Sequence, residues 1–454
     1  MKMISRIISR DTVEKIGEKV TLSGWVERVR SHGKIAFFDL RDRGGVIQIV
    51  ALTPEIASSI ENLSIQSAVT IEGIVKERGE RFINPHIPLG KVEIELQKPV
   101  EILSHAHELP FDMGGVELNL QLPTLLDYRA LTLRHPQISS IFKVQEVVID
   151  SFRKALKEKD FTEFQSPVII PQTAEGGSEV FEVKYFDYKA YLAQSPQFYK
   201  QILVGVYERV FAVNKTLRAE PSVTTRHLTE VTTLDAELGF INSWEDVMEM
   251  AEYVITSILS QVEKDCKVAL EIYKATVPKI GNPIPRIKLR EAQEIIKERT
   301  GRDCLSEPDL SPEDEKEISK WALEEKNSDL VFVTHYPVSK RPFYTYEDSA
   351  DPGYTLSFDL IGRGTEWMTG GQRINDYEKL VEAAKGRGID LEKSELYLQA
   401  FRYGMPPEGG FSFGSERITM HILGLSNVRE ASLFPRDMER IDERLSINSQ
   451  KTQK

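Results

Sequence analysis

Apolar and polar positions alternate with a period of two in three early runs: Val20 and Leu22, then Val69, Ile71, Gly73 and Val75, then Val92, Ile94 and Leu96. Successive side chains of a strand point to opposite faces, so each run predicts a strand with one buried face. Gly44-Gly45 between "FFDLRD" and "VIQIV" adds a hairpin. About five short strands within residues 18–102 suit a small closed barrel. The OB-fold is the commonest such barrel that binds single strands, and a barrel without a ligand shares its period.

The rhythm then changes. "SHAHELPFDMGG", Ser104 to Gly115, is polar and proline-bearing and reads as a linker. From Pro136 onward, Ile141, Val144, Val148, Phe152 and Ala155 recur three and four apart, which predicts an amphipathic helix ending near "KEKDF". "FTEFQSPVII" predicts a strand kinked at Pro167, and "ERVFAVNKTLRAE" and "TLSFDLIG" are strand-like. Ser243 to Lys264 reads as a further helix. Regular βαβ alternation, GxGxxG and GxxxxGK[ST] are all missing from the sequence, which disfavours a Rossmann or P-loop nucleotide site. The expected class is α+β: an N-terminal barrel over 1–103, a hinge over 104–134, and a domain over 135–454 with a mainly antiparallel sheet flanked by helices. Residues 265–345, charged and proline-bearing, read as a mostly helical insertion in that domain.

Composition narrows the class without naming a function. Hydrophobic residues at 41% and charged residues at 28% are ordinary for a globular chain, and no apolar run approaches a membrane span. The start, "MKMISRIISRD", has no long apolar stretch with a cleavage site, and the two cysteines, Cys266 and Cys304, form no CxxC. A cytoplasmic protein without disulfides or structural zinc is the expectation. A net charge of −12 argues against coating nucleic acid by bulk charge, but Arg28, Arg30, His32, Lys34, Arg41 and Arg43 make a local basic group in the barrel.

Four stretches carry chemistry. In "TLRAEPSVTTRHLTEVTTLDAEL", Thr216 to Leu238, Arg218 and Glu220 stand two apart, as do Asp235 and Glu237, with Arg226-His227 in the loop between. Two strands would gather these charges on one face; a solvated ion-pair ladder is the alternative, weakened by the apolar Phe211, Val213 and Leu217. In "FDLIGRGTEWMTGGQRI", Asp359 and Glu366 flank a turn, Gly370-Gly371 permits close backbone approach, and Arg373 offers a planar fork. Paired carboxylates beside glycines suit Mg²⁺ held against phosphate oxygens, although an ordinary hairpin with ion pairs reads the same way. In "GMPPEGGFSFGSERITMHILGL", a glycine-rich strand enters a helix with Arg417 in its first turn, which is a phosphate platform by chemistry. In "LAQSPQFYKQ", Gln194, Gln197 and Lys200 interrupt a run otherwise fit for burial.

In order, these stretches resemble the signature motifs of class II aminoacyl-tRNA synthetases, and more closely the aspartyl-tRNA synthetases of the archaeal and eukaryotic type. "EGGSEVF", "QSPQFYKQ", "RAE", "TTRHLTE", "SFDL", "GGQR", "YGMPP" and "LFPRD" stand where that family has them, and the likeness runs from Gly24 to Asp437. The resemblance implies an ATP-dependent ligation of L-aspartate to tRNA through an aspartyl-adenylate, in which the carboxylate attacks the α-phosphate and no protein nucleophile is needed. It implies that Arg218 bridges the α-phosphate and the carboxylate, and that Arg417 clamps the γ-phosphate end. Glu220 would hold the adenine amino group and Arg226 and His227 would lie along ATP, with Ala219, Leu228, Gly414, Ser415 and Glu416 also in the ATP set. Glu366 and Thr369 would hold Mg²⁺, with Asp359 as a third candidate. For aspartate, Glu175 and Gln197 would receive the α-ammonium, and Lys200 and Arg373 the side-chain carboxylate, with Phe198, Tyr199 and Thr369 alongside. Lys200 argues for aspartate over asparagine; an asparaginyl enzyme or a paralogue that does not charge tRNA is the alternative.

The resemblance further implies that the barrel is an OB-fold gripping the anticodon loop. Phe37 would stack on a base, Gln48 would read its edge, and Arg28 and Arg30 would meet phosphates, while Phe38 competes with Phe37 for the core position. Glu27 occupies the position that tests the third anticodon base. An acid there could accept a hydrogen bond from cytosine and favour tRNA(Asp), and a Glu27 turned to solvent would leave tRNA(Asn) equally acceptable. A homodimer is implied, with the helix Gln137–Lys157 and the strand around Pro167 in its interface. Two positions depart from the pattern: Glu408 stands where the family usually has histidine, and Ser412 replaces a frequent glycine.

Overall fold

The computed structural model describes residues 6–32, 35–61, 63–83, 89–172, 180–220 and 224–442. The chain divides into two compact units, Met1–Asn119 and Leu120–Lys454.

In the first unit one long strand, Lys19–His32, does the work of two. Its first half pairs antiparallel with Ala68–Glu77 and its second half with Ile35–Asp42, so the sheet closes on itself. Gly45–Ala51 follows Ile35–Asp42 across a two-residue turn, with Asp42 opposite Gly45, and pairs parallel with Val92–Leu96. The period-two runs supply the filling: Leu22, Phe38, Leu40, Ile49, Ile71, Val75 and Ile94 are buried together. Phe38 is therefore the core aromatic, and Phe37, one residue earlier on the same strand, lies half-buried on the outer face. The bulge in the long strand falls between Val26 and Arg28, at Glu27.

The second unit is built on an eight-stranded sheet. Its order is Arg286–Lys288, Leu330–Thr334, Ser357–Gly362, Thr365–Gln372, Glu408–Gly414, Glu230–Gly239, Arg209–Leu217 and Thr162–Glu163. The pairings are antiparallel except at the two edges, where they are parallel. The helix Pro136–Lys157 starts on a proline at its first turn, where a missing N–H costs nothing, and lays Ile141, Val144, Val148 and Phe152 on the sheet. Phe152 meets Phe211 and Phe413 edge-on, with ring centres 5.7 and 5.5 Å apart. Glu245–Asp265 packs against the same helix with Val254, Ile258 and Val262.

The span 265–345 differs from a helical insertion. It holds the helices Lys267–Ile272, Leu289–Thr300 and Pro312–Lys326, but also the strands Arg286–Lys288 and Leu330–Thr334, which form one edge of the main sheet. Its proline-bearing text hid those short strands, and Val331 and Val333 bury against its own helices. Pro167 separates two short strands, Thr162–Glu163 and Ile169–Ile170, which belong to different sheets. The second half of the expected hinge is helical, Leu122–Asp127 and Arg129–Thr132. Arg129 donates to the carbonyls of Glu430, Ser432 and Leu433, which ties this segment to the second unit; burial lowers its pKa to about 10.

Candidate active site

The strand Glu230–Gly239 alternates two chemistries. Leu234, Ala236 and Leu238 face the helix-covered core, so Thr233, Asp235 and Glu237 point to the opposite side of the sheet. Glu237 lies opposite Gly410, and the glycine is required: a Cβ there would sit 2.0 Å from Glu237 Oε2. Against this carboxylate the helix Gln197–Tyr207 lowers Lys200, and the end of the strand Thr365–Gln372, on the far side of the Gly410 strand, delivers Arg373. Lys200 Nζ lies 3.0 Å from Glu237 Oε2 and 3.4 Å from Asp235 Oδ1, while Arg373 Nε donates to Glu237 Oε1 at 2.7 Å. All four side chains are buried. Burial alone would raise the Glu237 pKa, but Arg373 and Lys200 outweigh it and hold the carboxyl below its usual range.

Lys200 and Arg373, expected to receive a ligand's side-chain carboxylate, thus share a protein carboxylate already. Lys200 and Arg373 already have counter-ions, so a ligand carboxylate would join a cluster whose geometry is set in advance. The groups left for a ligand remain donors. Lys200 keeps a third ammonium proton, and the bonds of Arg373 to Glu237 and to Gly410 O use only Nε and Nη2. Arg341 stands on the same cavity. It donates to Thr369 Oγ1 at 3.2 Å and Ser357 Oγ at 3.1 Å, and it pairs with Asp359 at 2.8 Å.

Lys200, Arg373, Arg341, Ser357 and Thr369 line a cavity of about 200 Å³ with Gln194, Gln197 and Arg218. A second cavity, about 110 Å³, is lined by Arg218, Glu220, Arg226, His227, Leu228, Glu366, Gly414, Glu416 and Arg417. Arg218, Thr233, Thr369 and Ser412 border both. Most of the residues expected for one nucleotide and one amino acid are thus gathered around a shared seam. In the second cavity Arg417 Nη1 donates to Glu366 O at 3.3 Å and lies 3.8 Å from its carboxylate. Glu220 lies 3.8 Å from Arg218 and 3.4 Å from His227. Glu416 faces inward and accepts from the Thr232 N–H at 3.0 Å, so it braces the strand beside the cavity. Gly414 caps the helix Ser415–Leu423, whose N-terminus opens here.

Several expectations fall elsewhere. Phe198 and Tyr199 line a neighbouring cavity, with Phe198 stacked on Tyr397 at 4.2 Å. The helical period explains this: Gln197 and Lys200 are three apart and share the site face, while the two residues between them turn away. Glu175 and the tip of the "EPSVTTRH" loop at 221–223 lie outside the described residues. Ala219 borders a third cavity, with Glu220 and Met438. Arg226 is held by Glu315 at 3.0 Å, a residue of the 265–345 span that the sequence did not single out. Burial lifts the Glu315 pKa to about 7, with Arg226 opposing and Glu366 adding to the rise.

For a divalent cation, Asp359 does not fit, since its carboxylate is buried and paired with Arg341. Glu366 does fit: it lines the second cavity, and Mg²⁺ commonly takes one or two carboxylates with the rest from phosphate and water. Among the described residues no group of three His, Cys, Asp or Glu could hold a metal alone.

In the barrel, Arg28 donates to Gly114 O, Arg30 pairs with Asp39 at 2.8 Å, and Gln48 donates to Glu93 at 2.9 Å. Glu27 is paired with Arg41, and burial raises its pKa against that pairing.

Residues 121–438 match the family described as tRNA synthetases class II (D, K and N), and residues 20–99 match the OB-fold nucleic acid binding domain. The chain is 42% identical over 437 residues to an aspartate–tRNA(Asp/Asn) ligase of Thermus thermophilus, spanning 96% of this chain and 99% of that one. It is 41% identical over 433 residues to an enzyme of the same description from Aeropyrum pernix, spanning 94% and 96%. Among solved structures, asparaginyl-tRNA synthetase from Pyrococcus horikoshii with asparaginyl-adenylate aligns with a TM-score of 0.86 at 31% identity, covering 97% of this chain and all of that one.

Proposed function

Because the chain belongs to the class II tRNA synthetases of the D, K and N group, we propose that it activates L-aspartate with ATP and ligates it to tRNA. The observation that carries this reading is the seam: Arg218 borders both a cavity lined by Lys200 and Arg373 and a cavity lined by Glu220, Arg226 and Arg417. A cation at that junction can hold the attacking carboxylate and the α-phosphate at once, so the barrier falls through positioning and charge stabilisation. Gln197 accepts the α-ammonium, and Lys200 and Arg373 receive the side-chain carboxylate. Asparagine would have to turn its NH₂ toward donor-only groups, which disfavours it. Glu220 and His227 lie against the base, and Arg417 against the terminal phosphates. Glu366, with Thr369 beside it, would hold Mg²⁺, which neutralises phosphate charge when bound.

The barrel takes the anticodon loop on the face that carries Phe37, a stacking platform, with Arg28 and Arg30 toward phosphates. The pairing of Glu27 Oε1 with Arg41 occupies one of its two acceptor oxygens and turns the carboxylate toward the barrel's own arginine, which weakens selection of cytosine in the third position. This favours charging of both tRNA(Asp) and tRNA(Asn), in line with the descriptions of the two relatives at 41% and 42% identity. Purified transcripts of both tRNAs, charged with labelled aspartate, are expected to be aspartylated with comparable efficiency. Charging confined to tRNA(Asp) would overturn the relaxed reading and restore the discriminating one.

The active form is a homodimer using the helix Pro136–Lys157 and the segment around Pro167. Val168 and Ile169 are exposed there, apolar surface that a monomer would leave in water. Light scattering at micromolar concentration should give twice the mass of the chain, and a stable, active monomer would contradict it.

A further inference from the structure

Behind Gln197, at the wall of the amino-acid cavity, runs a chain of hydrogen bonds whose further members touch no proposed ligand. Gln197 Nε2 donates to Gln201 Oε1 at 3.0 Å, the Tyr397 hydroxyl donates to the same oxygen at 3.1 Å, and Gln201 Nε2 donates to Glu408 Oε1 at 2.8 Å. Gln201 and Glu408 are both 0% exposed. Glu408 is also one of the two positions where this sequence departs from the pattern it resembles, so its placement is a property of this chain.

We propose that Glu408 is a positioning residue for the amino-acid substrate: through Gln201 it decides which end of the Gln197 amide faces the cavity. The inference rests on the reading of Gln197 as the acceptor of the α-ammonium. A side-chain amide has one donor end and one acceptor end, and neighbours settle which way it lies. An acceptor at position 408 draws the NH₂ of Gln201 toward itself. The Gln201 oxygen then faces Gln197, takes its NH₂, and leaves Gln197 Oε1 for the cavity. An oxygen there attracts an ammonium group, whereas an NH₂ would repel it.

Without an acceptor at 408, Gln201 can turn over and Gln197 must follow. Among the described residues the other group bonded to that amide is Tyr397, whose hydroxyl can accept as readily as donate and so cannot hold the orientation alone. Burial, reinforced by the charge on Glu237, raises the Glu408 pKa well above its ordinary range. A glutamine at 408 keeps a carbonyl oxygen that can accept the same bond from Gln201. Glu408 Oε2 has no partner among the described residues, so the bond to Gln201 is the polar contact that accounts for this side chain.

The test is aspartate-dependent ATP–pyrophosphate exchange on the full-length protein carrying Glu408→Leu, Glu408→Gln, Tyr397→Phe or Gln197→Leu. Glu408→Leu is expected to raise KM for aspartate about tenfold or more, the order expected for a lost buried hydrogen bond, with KM for ATP nearly unchanged. Glu408→Gln, which keeps an acceptor but adds a donor, should recover part of that loss, and Tyr397→Phe should raise KM for aspartate by a smaller factor. Equal rises in both KM values, or a Glu408→Gln variant as impaired as Glu408→Leu, would overturn the proposal by marking 408 as a packing position. Should Glu408→Leu not fold, Tyr397→Phe decides: an unchanged KM for aspartate then overturns it. If Gln197→Leu raises KM for aspartate while Glu408→Leu does not, this inference alone fails. If Gln197→Leu also leaves it unchanged, the assignment of the ammonium site fails first.

Discussion

Arg373→Leu is expected to cut aspartate activation on the order of thirtyfold or more while KM for ATP changes little, because removing one partner of a buried charge pair costs about 2–5 kcal/mol. Two losses combine. The substrate carboxylate loses a donor, and Glu237, which Arg373 bonds at 2.7 Å, keeps only Lys200 as a neutralising partner. The second loss bears on folding as well, so thermal unfolding of the variant should be recorded beside its kinetics. Lys200→Met is the companion, since Lys200 contacts both Asp235 and Glu237. Arg373→Lys keeps the charge but loses the fork that spans Glu237 and Gly410 O, and should fall between Arg373→Leu and the parent. Equal losses for aspartate and ATP in a folded Arg373→Leu protein would show that the side-chain carboxylate is bound elsewhere.

Arg218→Ala should be more damaging to chemistry than to binding. Arg218 borders both cavities and is the side chain placed to meet charge as it develops on the transferring phosphoryl group. Loss of one such stabilising group typically costs about 10²–10³ in kcat. Single-turnover adenylate formation should therefore slow by roughly that factor, with smaller changes in KM for either substrate. Arg218 is half-exposed and its ion pair with Glu220 is 3.8 Å long, so the fold should tolerate the change. A variant that loses ATP affinity but turns over normally once saturated would move Arg218 from the reaction to simple binding.

What the sequence revealed and what it concealed have a common physical cause. Periodicity reports which face of an element is buried, and on that basis the barrel core and the helix from Pro136 were legible, while the choice between Phe37 and Phe38 was left open until the strand's register showed Phe38 inside. Residue type at a motif reports chemistry, and Arg218, Glu220, Glu366, Arg373 and Arg417 do gather around contiguous cavities. Partners across the fold leave no such trace. Glu237 was visible as a charge on a strand, but nothing local says that Lys200 and Arg373, distant in sequence on either side of it, converge on its carboxylate. Gly410 was the available clue, since a glycine opposite a strand carboxylate makes room for it. Arg341 and Glu315 were missed because each lies in proline-bearing, charged text whose short strands and helices carry no strong period. Phe198 and Tyr199 were placed by motif rather than by helical phase, and the phase turned them away.

The cluster of Lys200, Arg373, Glu237 and Asp235 is expected to select aspartate for activation by ATP. ATP–pyrophosphate exchange measured separately with aspartate, asparagine and lysine reads that selection before any tRNA is involved. Exchange with aspartate and only background with the other two is expected. Exchange with asparagine or lysine at a rate equal to or above that with aspartate would contradict it.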